Sequence, residues 1–311
     1  MTIFDAIIQG IVQGLTEFLP VSSSGHLAIT QHLMGVTENN LFFNVMLHIG
    51  TLVAVVAFYY KLIWNLIKEF FAIVKDIFTG KFSFKNMNND RNMIFMLVVA
   101  LLPLFLLFAP IPGTDMKVKD FADMISGDEK YFIIVGISLL VTSVLLAVGN
   151  ALNNNLKKLE EKTGKLSEKG AGKSSLTVVD AIVVGLTQCC AAVFPGLSRS
   201  GSTLAAGQMR GVNRQTALDF TFIMAIPSIL AAAVLELSDA LSVPGGIGIP
   251  VSVIIAGMIA AAIVGYLSIV LFKWLLKTNK MIIFILYTAV VGIAVIVVSI
   301  IEMVVGHNIF V

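Results

Sequence analysis

Six separate stretches of about twenty residues, each apolar almost throughout, dominate this chain: residues 41–60, 92–110, 131–150, 216–237, 250–272 and 281–301. About twenty helical residues are what a hydrocarbon core of about 30 Å demands of a crossing. The composition agrees. AVILMFWYC residues make up 57% of the 311, and the 25 glycines raise the apolar share to roughly 65%, against about 45–50% in soluble domains. Only 13% are charged, too few to cover a water-exposed surface, so a soluble enzyme and a disordered chain are both excluded. A net charge of +2 gives no pull toward nucleic acid. The expected class is an all-α polytopic membrane protein, forming one integral membrane domain. Its only cysteines, Cys189 and Cys190, are neighbours in an apolar stretch and are read as packing residues. No cleavable leader is expected, since the first charge is Asp5 rather than a basic cluster.

Lysine and arginine mark cytoplasmic connections. Lys61, Lys68, Lys75, Lys81, Lys85 and Arg91 follow the first span, and Lys157, Lys158, Lys162, Lys165, Lys169 and Lys173 follow the third. Both segments are expected inside, as solvated connections rather than lipid or nucleic-acid sites. The acid-rich segment of Asp115, Asp120, Asp123, Asp128 and Glu129, and the one near Asp239, are expected outside. Lys273, Lys277 and Lys280 set the last connection inside, which leaves both termini extracytoplasmic.

Two apolar stretches are too short to cross. Residues 5–20 and 180–195 hold about 16 residues each, roughly 24 Å of helix, and each leads through small polar residues into another short helix ending near Leu33 or Gln208. The pattern is that of a re-entrant helical hairpin, whose non-helical turn survives at membrane depth only where protein or water satisfies it. The two stretches also resemble each other: Asp5-Ala6-Ile7 matches Asp180-Ala181-Ile182, Gln13 pairs with Gln188, Pro20 with Pro195, and Ser22-Ser23-Ser24-Gly25 with Ser198-Arg199-Ser200-Gly201. The charge pattern puts one hairpin's start outside and the other's inside. The expected organisation is therefore an inverted repeat, with repeat 1 at about 1–150, a cytoplasmic loop at about 151–176 and repeat 2 at about 177–311. In such folds the site lies near the midplane where the halves meet.

Chemistry concentrates in the two turns. Gln9, Gln13 and Glu17 recur every four residues and form one polar seam on an apolar helix; an ionisable Glu17 at that depth points to function. Ser22, Ser23, Ser24, Gly25 and His26 open the next helix, fitting an N-cap and equally an anion site with a nucleophile and a proton carrier. In the second turn Gly196, Ser198, Arg199, Ser200 and Gly201 let backbone N–H groups and a forked guanidinium converge on one phosphate. His48, in the following span, is balanced between packing and substrate binding.

The run Gln13-Gly14-Leu15-Thr16-Glu17-Phe18-Leu19-Pro20-Val21-Ser22-Ser23-Ser24-Gly25-His26, followed by Leu47-His48-Ile49-Gly50-Thr51 and Pro195-Gly196-Leu197-Ser198-Arg199-Ser200-Gly201, resembles the undecaprenyl-diphosphate phosphatase family, also called the bacitracin-resistance protein family. The resemblance covers nearly the whole chain. It implies a cell-membrane phosphatase that removes the terminal phosphate of a polyprenyl diphosphate, recycles the lipid carrier for cell-wall synthesis and lowers bacitracin sensitivity. The family's serine, histidine and arginine fall on Ser23, His26 and Arg199. Its acidic motif falls on Gln13 and Glu17, a single carboxylate here. The resemblance also implies a divalent cation, Mg²⁺ or Ca²⁺, with Glu17 its candidate ligand. Arg199 is expected to clamp the phosphate, with either Ser23 attacking while His26 takes the proton or His26 itself as nucleophile. A homodimer is compatible with such a chain. The competing reading is a lipid-phosphate transporter, which would need the binding groups but no nucleophile.

Overall fold

The computed structural model describes residues 1–35, 41–83, 87–127, 131–164, 170–242, 248–278 and 280–309. Among these it is helical throughout, with no strand. Lys85, Asp128, Glu129, Lys165 and Lys169, which entered the orientation argument, lie outside the described residues.

The two short stretches become helix pairs. The first is α1 (Ile3–Glu17) with α2 (Ser23–Leu33), the second α8 (Val178–Val193) with α9 (Arg199–Met209). Both pairs start identically. Thr2 accepts from the Asp5 amide while Asp5 accepts from that of Thr2, and Thr177 and Asp180 form the same capping box, satisfying two backbone donors that a helix start otherwise leaves free. Only the second box is reinforced, by Lys173 at 2.5 Å and Arg210 at 2.9 Å from the fully buried Asp180 carboxylate.

The six expected spans correspond to α3 (Leu41–Phe58), α5 (Asn89–Leu101) with its 3₁₀ continuation Leu102–Phe108, α7 (Phe132–Lys162), α10 (Arg214–Ser242), α11 (Val251–Lys277) and α12 (Ile282–Val305). Two connections read as solvated loops are corrected. The lysine-rich segment after the first span is a 19-residue helix, α4 (Tyr60–Phe78), turned 84° from α3; its apolar residues recur with helical period between the lysines. The first dozen residues of the 151–176 segment continue α7 through Lys162. A shorter helix, α6 (Val118–Gly127), lies in the acid-rich connection.

Helices in lipid gain little from burying one another's apolar faces, so close packing has to hold them. Gly10 and Gly14 of α1 face Gly257, Ala261 and Gly265 of α11 so closely that a Cβ on Gly10 would sit 2.3 Å from the Gly257 carbonyl oxygen. Gly185 approaches Ala100 equally closely, seating α8 on α5. A chain of rings, Phe18–Phe222–Phe272–Phe284, edge-on at both ends and tilted in the middle, ties the end of α1 to α10, α11 and α12. These contacts fix where both turns sit.

Candidate active site

α1 stops at Glu17, the chain turns through Pro20, and Ser22 begins α2 with φ +73°, the one positive φ outside glycine among the described residues. An L-residue holds that conformation only where its surroundings enforce it. Here the Ser22 carbonyl accepts from both the His26 amide at 3.1 Å and the His26 Nδ1–H at 2.8 Å, while its hydroxyl accepts from the Gly25 amide at 3.2 Å. The second turn is built in parallel. Gly196 takes φ +88°, Ser198 caps α9 by accepting from the Gly201 amide at 3.0 Å, and the Ser198 amide donates to Thr142 Oγ1 on α7 at 3.0 Å.

Two bonds stitch the turns together. The Gly196 amide donates to Ser24 Oγ at 3.4 Å, and Ser200 Oγ donates to the Leu19 carbonyl at 3.2 Å. Gly25 and Gly196 touch where any side chain would intrude: a Cβ on Gly25 would lie 3.1 Å from the Gly196 Cα. The N-termini of α2 and α9 thus meet at one place, where their dipoles favour an anion.

Glu17 is the hub. Its Oε2 accepts from Ser23 Oγ at 2.6 Å and from Gln13 Nε2 at 2.9 Å, and lies 3.5 Å from His48 Nε2; its Oε1 pairs with the Arg199 guanidinium. The Glu17 side chain is 2% exposed and that of Arg199 25%, so the carboxylate is sealed below while the guanidinium reaches toward the open side. His48 is oriented by its Nδ1, which donates to the Asn44 carbonyl at 2.7 Å.

Gln13, Glu17, Ser23, His48 and Arg199 therefore gather round a single carboxylate, and Ser22, Ser24, Gly25, Gly196, Ser198, Ser200 and Gly201 form the frame that holds it. His26 does not join Ser23. With Nδ1 committed to the Ser22 carbonyl, its Nε2 faces the Tyr287 hydroxyl at 2.8 Å, and the two rings stack 5.5 Å apart at 12°. The expected proton transfer from Ser23 to His26 has no hydrogen bond behind it here; the group touching Ser23 is Glu17. Sequence reasoning missed Tyr287 and Thr142, both inside spans read only as apolar. A signal existed in the adjacent polar pair Tyr287-Thr288 midway along the last span.

The residues present do not fit a protein-held divalent cation. Hard cations want several oxygen ligands, yet among the described residues no three His, Cys, Asp or Glu side chains cluster suitably. Both Glu17 oxygens already serve Arg199, Ser23 and Gln13. The buried Gln13 Oε1 has no partner, which adds one neutral oxygen and no charge.

A serine hydroxyl held against a buried carboxylate, an arginine and two helix N-termini are brought together here, the arginine and the N-termini being groups of the kind that suit an anion. The family model for bacitracin resistance protein BacA matches residues 6–294, which includes both turns. The chain belongs to the BacA family. Among its relatives, a protein of Alkaliphilus metalliredigens named undecaprenyl-diphosphatase is 40% identical over 94% of this chain and 97% of its own. Proteins of the same name from Methanosphaera stadtmanae, at 35% over 97% and 99%, and Bacteroides fragilis, at 36% over 95% and 98%, are similarly alike. The BacA match thus takes in both turns, five of the six long apolar segments and the first half of α12.

Proposed function

We propose that this BacA protein hydrolyses undecaprenyl diphosphate to undecaprenyl phosphate and inorganic phosphate, with Ser23 as nucleophile and Glu17 as its base. The observation that carries the reading is the 2.6 Å hydrogen bond from Ser23 Oγ to Glu17 Oε2 beside Arg199. Phosphoanhydride cleavage asks mainly for in-line placement and neutralised charge. Arg199 and the two helix N-termini hold the terminal phosphate. Ser23 Oγ forms a bond to its phosphorus as the bond to the bridging oxygen breaks, and that oxygen leaves with the lipid monophosphate. The Ser23 proton passes to Glu17. Water then attacks the phosphoserine, Ser23 Oγ departs and regains its proton from Glu17, and both of the water's protons leave with the phosphate. His26 as nucleophile has less support, since both its ring nitrogens are engaged. No step runs through a metal.

The isoprenoid tail stays in the bilayer. The protein is a multi-pass membrane protein, and in this reading it resides in the cell membrane with both termini outside, its two hairpins re-entrant and related as an inverted repeat. The test is phosphate release from undecaprenyl diphosphate by monodisperse wild type, Ser23→Ala and Arg199→Ala, with Mg²⁺ or Ca²⁺. Release by the wild type alone supports the reading. An inert, well-folded wild type would sink it and turn attention to lipid-phosphate transport, and an active Ser23→Ala would remove Ser23 as nucleophile.

A further inference from the structure

The helix α4 carries three distinct faces. Leu66 and Ile73 are buried against the protein, with Glu69 and Asp76 on the same side, and Arg91 at the start of α5 takes both acids, at 2.7 Å each. A second face is apolar and uncovered: Tyr60, Trp64, Ile67, Phe71 and Phe78 are 59%, 57%, 41%, 65% and 87% exposed. Between the two, Lys61, Lys68 and Lys75 recur every seven residues, an interval that drifts only about 20° per repeat around a helix. All three are exposed. Among the described residues none has an acidic partner, and Lys61 and Lys68 lie over the rings of Tyr60 and Trp64. The helix's acids are thus consumed inward and its cations turned outward beside an aromatic strip.

The helix α3 packs along the spans α10 and α11, and α4 turns 84° away from it, nearly perpendicular to α3. We infer that α4 is an interfacial helix whose lysine row binds the phosphates of anionic phospholipids in the surrounding bilayer. Tyrosine and tryptophan are suited to the headgroup level, an amphipathic helix there buries its apolar face in the acyl boundary, and an unpaired row of lysines at that depth complements anionic headgroups. The inference does not depend on the hydrolase reading.

The chain has two tryptophans, so Trp274→Phe leaves Trp64 as the sole reporter. Full-length protein is placed in vesicles of brominated phosphatidylcholine or brominated phosphatidylglycerol at equal mole fraction. Both lipids are expected to quench Trp64, with the anionic one favoured about threefold or more and the preference shrinking at high salt. Lys61→Gln/Lys68→Gln/Lys75→Gln is expected to keep the quenching and abolish the preference; the matching triple Arg variant should retain it, which separates lost charge from lost folding. Equal quenching of the wild type by the two lipids, or a preference that survives the Gln variant, overturns the inference. So does quenching by neither lipid, which would mean that a second copy or another protein covers this face.

Discussion

Ser23 Oγ donates to Glu17 Oε2 at 2.6 Å, whereas His26, one helical turn further along α2, faces away toward α12. One carboxylate thus holds the Ser23 hydroxyl and the Arg199 guanidinium at once. Glu17→Gln keeps the shape but removes the charge, so turnover should fall by about 10²–10⁴-fold, the usual worth of a positioned base, while the detergent-solubilised protein stays monodisperse. Near-normal turnover would take Glu17 out of the proton path.

Tyr287 fixes the orientation of an imidazole that Ser22 already holds from the other side. Tyr287→Phe keeps the stacked ring and deletes one hydrogen bond, worth about 0.5–1.5 kcal/mol net. The cost is expected in thermal stability, with kcat within about twofold of wild type, because no step of the proposed reaction uses His26. A kcat loss of tenfold or more with unchanged melting temperature would put His26 back in the reaction.

Gly196 combines φ +88° with a position where a Cβ would lie 2.5 Å from the Val135 carbonyl oxygen. Gly196→Ala should therefore cost on the order of 2 kcal/mol from conformation alone, and more from the collision. A clear drop in thermal stability together with lost turnover is expected. If stability is unchanged, the turn is not as tightly held as its contacts indicate.

Asp180 is fully buried, with Lys173 and Arg210 each about 40% exposed. Asp180→Asn leaves those cations able to reach water, so the loss of stability should be moderate, about 1–3 kcal/mol. Turnover per folded molecule should stay within a few-fold of wild type, because Asp180 starts α8 and the second turn lies beyond its far end. Thermal denaturation and phosphate release measured on one preparation would separate the two effects.

The donor set around Glu17 predicts little affinity for free metal. Terbium luminescence, reporting on a Ca²⁺-like ion, should show no saturable site in the substrate-free protein, and Gln13→Glu, by supplying a second carboxylate, should create one. Saturable binding by the wild type at micromolar terbium would contradict this.

The spans were legible because each is a long apolar run bounded by charge, and the two hairpins because 16 residues cannot cross. The proximity of Gln13, Glu17, Ser23 and Arg199 was equally legible, because they are polar groups at positions where only function or pairing justifies them. What stayed hidden was direction. Nothing in the order of residues tells that His26 turns toward Tyr287, because that choice follows from the Ser22 carbonyl capturing Nδ1, and the Ser22 backbone angle follows from tertiary contacts. The identity of α4 was obscured for another reason. Its lysines match a solvated connection by composition, and only their spacing relative to Trp64, Phe71 and Phe78 separates a helix from a loop.

The partners Glu17 and Arg199 stand 182 residues apart in the chain. During synthesis the carboxylate emerges early, on the first helix, and its guanidinium comes only after well over half the protein has been made. A carboxylate without a counter-charge in hydrocarbon is costly, and until the second hairpin arrives Glu17 has Gln13, Ser23 and His48 beside it but no guanidinium. The ion pair is thereby coupled to completion: a chain interrupted before α9 carries the Glu17 carboxylate and the Ser23 hydroxyl bonded to it without the guanidinium that neutralises the carboxylate.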